Sequence, residues 1–166
     1  RDSLRKVSVR GGNPVTLVHD LPNAPWLRGS WSDDGRIVYD TWNAGLRIVA
    51  AEGGAPRVLT QPDSEWNLGP EVLPGSDAVL YFAQTATSFR IESVSMDGKN
   101  RKTILENASH PRCLASGHLL FVRDGGLMLA PFDAGALRVT GPAVPVPLNV
   151  MMDHPNVGAP LPQLAV

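Results

Sequence analysis

The chain repeats itself, and the repeat restricts its fold more than its composition does. The segment "LRKVSVRGGNPVTL" from Leu4 aligns with "LRIVAAEGGAPRVL" from Leu46 at a shift of 42 residues, with seven identities in fourteen positions. Among them are Gly11 with Gly53, Gly12 with Gly54 and Pro14 with Pro56. These matter most, because glycine and proline fix backbone geometry and not only hydrophobicity. The unit recurs more loosely downstream: "AVLYFA" from Ala78 follows "RIVYDT" from Arg36 by 42 residues, and "HLLFVR" from His118 follows after a further 40. Behind each lies a second strand-like segment ("GLRIVA", "FRIESVSM", "GLMLAPF") and then a third ("APRVLT", "NRKTIL", "ALRVT").

A period of about 42 residues made of short strands and Gly-rich turns is the pattern of β-propeller blades. Helical repeats of similar length need two helices of ten or more residues each. The fifteen prolines and sixteen glycines interrupt most windows of that size. The longest uninterrupted stretch, between Ser76 and Asp97, reads as β-branched and aromatic runs around the polar tip "QTATS", a hairpin pattern. A two-layer sandwich does not explain a fixed period. The expectation is an all-β chain of four-stranded antiparallel blades, about three and a half in number. Residues 1–22 would end one blade, 23–61, 62–106 and 107–148 would form three, and 149–166 would begin the next. Such an arc leaves apolar blade faces to be covered by missing blades, by a second copy of the chain, or by pairing of its own ends.

The charge pattern excludes some functions. A formal net charge of −1, with Lys and Arg scattered, lacks the basic patch that phosphate-backbone binding requires, so no nucleic-acid partner is expected. No apolar run approaches the length needed to span a bilayer, and "RDSLRKVSVRGG" has no signal-peptide core. The single cysteine, Cys113, forms no intrachain disulfide and reads as a small apolar residue.

No constellation reaches catalytic specificity. Asp33 and Asp34 could bind a cation, but adjacent side chains project differently, and Asp34-Gly35 fits the turn into "RIVYDT". His110, Cys113 and His118 resemble a soft metal site, yet further ligands are not evident. His19, Asp20 and His154 lack a paired nucleophile. Of the four tryptophans, Trp26, Trp31, Trp42 and Trp66, Trp31 occupies the repeated core position and is expected to pack between blades. Trp42 and Trp66 stand near turns and are the candidate ligand-binding residues, for example toward a sugar or peptide. The structural motif residues are Trp31, Asp34, Gly35, Gly53, Gly54 and Pro56. The proline run "GPAVPVPLNV" fits an edge or connecting segment. No metal or cofactor is expected.

"WSDDGRIVYD" resembles the core motif of TolB-like, WD40-like (PD40) bacterial β-propellers, where W-S-P-D-G precedes the second strand. "GLRIVAAEGGAPRVLTQPD", "EVLPGSDAVLYFA" and "GHLLFVRDGGLMLAPFDAGALRVTGPAVPV" are similar to the propeller carried beyond a membrane segment by certain bacterial serine/threonine protein kinases. Asp33 departs from the usual Pro, and Pro74-Gly75-Ser76-Asp77 replaces P-D-G in the next blade; both keep turn-forming residues. The resemblance implies a non-catalytic docking or sensing platform for a protein or small-molecule ligand, in a periplasmic or extracytoplasmic setting. The chain carries no kinase signature and no G-x-S-x-G. The same blade type is similar to the gating propeller of prolyl-oligopeptidase-like serine peptidases, the second expectation. A cation-dependent propeller hydrolase is the third.

Overall fold

The strand-like segments pair as successive antiparallel sheets in a computed structural model that describes residues 2–21, 27–42, 44–61, 65–147, 152–153 and 161–162. The first piece is a hairpin of β1 (Asp2–Lys6) and β2 (Val15–Leu21). A four-stranded sheet follows, in the order β3 (Gly29–Trp31), β4 (Arg36–Thr41), β5 (Gly45–Ala50), β6 (Arg57–Val58). The next has β7 (Trp66–Val72), β8 (Ala78–Gln84), β9 (Phe89–Ser95) and β10 (Lys102–Glu106), again in chain order. The third has β11 (Ser109–Leu114), β12 (His118–Arg123) and β13 (Gly126–Asp133). Its outer strand is split into β14 (Arg138–Val139) and β15 (Val144–Pro145), which pair with opposite ends of β13. β16 (Met152–Asp153) and β17 (Leu161–Pro162) pair last. Among the described residues every regular element is a strand, and consecutive strands are neighbours, as in propeller blades. Trp26, His154 and the segment "QLAV" lie outside the described residues.

The repeat is visible in the backbone. Gly11 and Gly12, before β2, have φ of 90° and 119°; Gly53 and Gly54, 42 residues on, have 94° and 117°. Those values are open to glycine and poor for other residues, so the matched glycines of the sequence are matched turns. Gly45 carries a second constraint. At φ 70° it closes the β4–β5 turn so tightly under Thr60 that an added Cβ would lie 2.2 Å from the Thr60 carbonyl oxygen. Thr60 Oγ1 accepts the Leu46 N–H at 3.0 Å, and Thr41 Oγ1 donates to the Gly45 carbonyl at 2.8 Å. This packing holds the turn that carries Trp42.

Side-chain alternation assigns each strand face to a different neighbour. β8 is buried at every position because both faces are covered. Val79, Tyr81 and Ala83 meet Val38, Leu46 and Ile48 of the first sheet. Ala78 and Leu80 meet Leu119, Phe121, Ala130 and Phe132 of the third. β4 behaves alike: Ile37 and Tyr39 face Leu17, Val18 and Leu21 of the hairpin, whereas Val38 faces the second sheet. Leu120 and Val122 of β12 point the other way and are capped by Leu114, Leu129 and Val146. This explains why "AVLYFA" is a continuous apolar run and not an alternating one.

Polar bonds stitch the same interfaces. Val72 N–H donates to Ser30 Oγ at 2.9 Å, Arg57 Nη2 to the Met96 carbonyl at 2.6 Å, and Lys102 Nζ to the Leu137 carbonyl at 3.0 Å. Truncating a fully buried side chain between two sheets should therefore cost several times the loss at an exposed site. Phe121→Ala is expected to destabilise by about 3–5 kcal/mol in urea unfolding. Gly45→Ala is expected to cost more than about 2 kcal/mol, because backbone and not a flexible side chain occupies the space.

Candidate functional site

β3, β7 and β11 are the first strands of their sheets, and they approach one another along one edge of the arc. Two of them carry the same irregularity. On β7, Gly69 and Pro70 together face Tyr81; on β11, His110 and Pro111 together face Phe121. These are bulges, in which two residues oppose one. Proline suits them because it has no N–H left unpaired by the interrupted ladder. The leading residue is left-handed in both, with φ of 59° at Gly69 and 53° at His110.

The bulges draw a polar cluster together. Asp40, nearly inaccessible at the end of β4, accepts the Arg28 N–H at 2.8 Å on Oδ1 and the Gly69 N–H at 2.9 Å on Oδ2. Burial raises its pKa against the pull of those N–H groups and of the Arg28 charge. Arg28 packs over the Phe82 ring, 5.9 Å from its centroid, and burial lowers its pKa. His110 lies against the same ring, with centroids 4.4 Å apart. Its Nδ1 is 2.9 Å from Ser109 Oγ, while its Nε2 is buried with no partner. Burial, then Arg28 and Arg112, push the His110 pKa down to about 3. Arg112 Nη1 donates to Glu71 Oε2, tying β11 to β7. Burial lifts the Glu71 pKa in spite of that pairing.

A second feature sits at the end of the sheets where β7 and β11 begin. Trp42, in the β4–β5 turn, and Trp66, first residue of β7, bring their rings to 6.3 Å with planes tilted by 33°. The structure thus joins the two tryptophans singled out in the sequence. One sheet further on, the β8–β9 turn, the start of β11 and the β12–β13 turn enclose a cleft of about 230 Å³ lined by Thr87, Ser88, Ser109, Arg123 and Asp124, among others. Beside Trp66, Glu65 and Glu92 bond with Arg90 and Arg101, and Tyr81 Oη donates to Glu92 Oε2 at 2.6 Å. Burial works to raise both glutamates, but these hydrogen bonds hold them below the usual carboxylate range.

Asp34 is engaged within its own turn. Ser32 Oγ donates to Asp34 Oδ1 at 2.5 Å, Arg36 Nε donates to the same oxygen at 3.0 Å, and the Gly35 N–H donates to the Ser32 carbonyl. Arg36 is the main cause that lowers Asp34 to about 2, with Ser32 second. Arg36 Nη2 also donates to Asp77 at 2.7 Å, across to the corresponding turn of the next sheet. The expectation that Trp31 is buried between blades is corrected. Its side chain is 55% exposed and overhangs a groove that also includes Asp33, Val72 and Pro74. One repeat later the corresponding residue, Leu73, is fully buried against the third sheet.

Cys113 is half-buried, its thiol pKa raised by burial and then by Glu71. His110 turns toward Phe82 and His118 toward Ser116, with His118 Nδ1 3.0 Å from the Ser116 carbonyl oxygen. Among the described residues no three His, Cys, Asp or Glu side chains form a group able to hold a metal ion.

No protein family matches the sequence, and no curated protein matches it. Solved structures do match. A protein described as TolB from Agrobacterium tumefaciens is similar at 18% identity and a TM-score of 0.67, over 86% of this chain and 55% of that one. Regucalcin, a calcium-binding protein from Agrobacterium tumefaciens, matches at 17% identity and TM-score 0.62, over 91% of this chain and 55% of that one. An oligogalacturonate lyase from Vibrio parahaemolyticus matches at 15% and 0.61, over 86% and 42%. At such identities the likeness is one of fold, and the fold is the β-propeller. The chain spans about half the length of these structures.

His110 gives a pH signature. Its folded pKa lies below the unfolded value of about 6.5, so its neutral form contributes fully above that value. As pH falls from about 6.5 toward 3, the unfolded chain takes up a proton that the folded chain refuses, and stability is lost. Urea unfolding at pH 7 and pH 5 should differ by about 2 kcal/mol through this residue alone. The difference should shrink by that amount in His110→Asn, since asparagine tolerates the left-handed backbone.

Proposed function

We propose that the chain is a non-catalytic β-propeller module that binds a protein or small-molecule ligand on the end where Trp42 and Trp66 meet. The observation that carries this reading is the pairing itself. Two half-buried indoles from successive sheets, held by the Gly45 turn and by β7, offer rigid amphipathic contact area at low entropic cost. The cleft between the second and third sheets adjoins the same end, and Thr87, Ser88, Arg123 and Asp124 in its lining supply hydroxyls and charges for orientation. The ionisable clusters support binding more than chemistry: the Glu65, Arg90, Glu92 and Arg101 charges are mutually satisfied, and Asp34 is committed to Arg36. In the setting that the sequence resemblance implies, the module is the extracytoplasmic sensor of a receptor-type serine/threonine kinase or a periplasmic scaffold.

Oligosaccharide and peptide arrays test this. The protein is expected to retain a defined ligand class without converting it, and Trp42→Ala and Trp66→Ala are each expected to weaken retention about tenfold, roughly 1.4 kcal/mol. Retention indifferent to both substitutions, or turnover of the retained ligand, would sink the reading.

A further inference from the structure

Buried polar groups nearly always find partners, so His110 needs an explanation. Its Nδ1 is occupied by Ser109 Oγ, and its Nε2 is enclosed with nothing to bond. In the tautomer that carries its proton on Nε2, Nδ1 accepts the Ser109 hydroxyl and the buried Nε2–H is a donor in want of an acceptor; the proposal below is for that tautomer. The Arg28 guanidinium rests on the same Phe82 ring as His110, with no side-chain hydrogen-bond acceptor among the described residues. Asp40, the carboxylate whose charge acts on Arg28, has both oxygens engaged by backbone N–H groups. Arg112 is spent on Glu71, yet its charge still reaches His110 alongside that of Arg28, and neither carboxylate offsets them there. The same place in the preceding repeat holds Gly69, with the same backbone conformation and no side chain. A histidine here accepts a left-handed backbone that Gly69 adopts without a side chain in the preceding repeat.

We propose that the inner edge of the arc binds an oxyanion, the carboxylate or phosphate of a small molecule, between the Arg28 guanidinium and His110 Nε2–H, with Arg112 adding charge. A planar guanidinium fork matches two oxygens of such a group, and a neutral imidazole donor supplies the third contact without the cost of burying another cation. Both side chains pack against the Phe82 ring. This site is separate from the tryptophan end. Array retention and anion binding are separate measurements, so either reading can fail while the other stands.

The test is calorimetric titration of the protein with inorganic phosphate and, separately, with acetate. Saturable binding of at least one ion is expected, weakened at least tenfold in Arg28→Met and in His110→Asn. Lys99→Met, which removes an exposed cation on the β9–β10 turn, is expected to leave binding unchanged. Tighter binding of phosphate assigns a phosphoryl ligand, and tighter binding of acetate a carboxylate. If Arg28→Met does not fold, Arg28→Lys carries the test, since it keeps the charge and loses the fork; several-fold weakening is expected. Absence of saturable binding of both ions overturns the proposal. So does parental affinity in folded Arg28 and His110 variants, or an equal loss in Lys99→Met.

Discussion

A strand with apolar side chains on both faces must be covered from both sides, and the rest of this structure follows from that requirement. β8 shows it most fully: one face closes the cavity left by the first sheet, and the other is closed by the third. No sheet here is stable as a free layer, so each blade's core is shared with its neighbours. Radial repetition answers this with one local rule applied again and again. Cross-sheet bonds accompany that packing: Ser30 to Val72 and Arg57 to Met96 join the first sheet to the second, and Lys102 to Leu137 joins the second to the third.

Polar chemistry collects where that packing narrows. Along β7 and β11 the bulges at Gly69-Pro70 and His110-Pro111 re-aim the backbone. Asp40 joins the start of one blade's inner strand to the bulge of the next through two N–H groups, a role in which a carboxylate is held by geometry more than by charge pairing. Glu71 and Arg112 continue the connection to the third blade. This chain of contacts is structural as far as Arg112. At His110 the buried Nε2 has no partner, and it is there that the proposed anion site begins.

Much of the architecture was legible because its signals are periodic. Strand pairs, hairpin tips and the glycine turns at Gly11-Gly12 and Gly53-Gly54 are local, and local rules suffice for them. Trp31 is exposed although its repeat partner Leu73 is fully buried, so a shared place in the repeat does not by itself carry shared burial. The approach of Trp42 to Trp66 depends on two blades coming side by side, so neither residue alone could reveal it. The Arg28–His110 cluster was hidden further. Its signal is a backbone angle and an unpaired nitrogen, and the trace it leaves in sequence is His-Pro standing where the preceding repeat has Gly-Pro.

That exchange bears on how repeated folds acquire new properties. A bulge lies outside the ladder, so its leading residue is excused from strand pairing and answers only to conformation. Glycine there keeps the frame silent, and any tolerated side chain speaks toward the axis without altering the sheets on either side. A protein that copies such a unit several times therefore holds several independent sockets of identical shape, and can diversify one copy while the others preserve the ring.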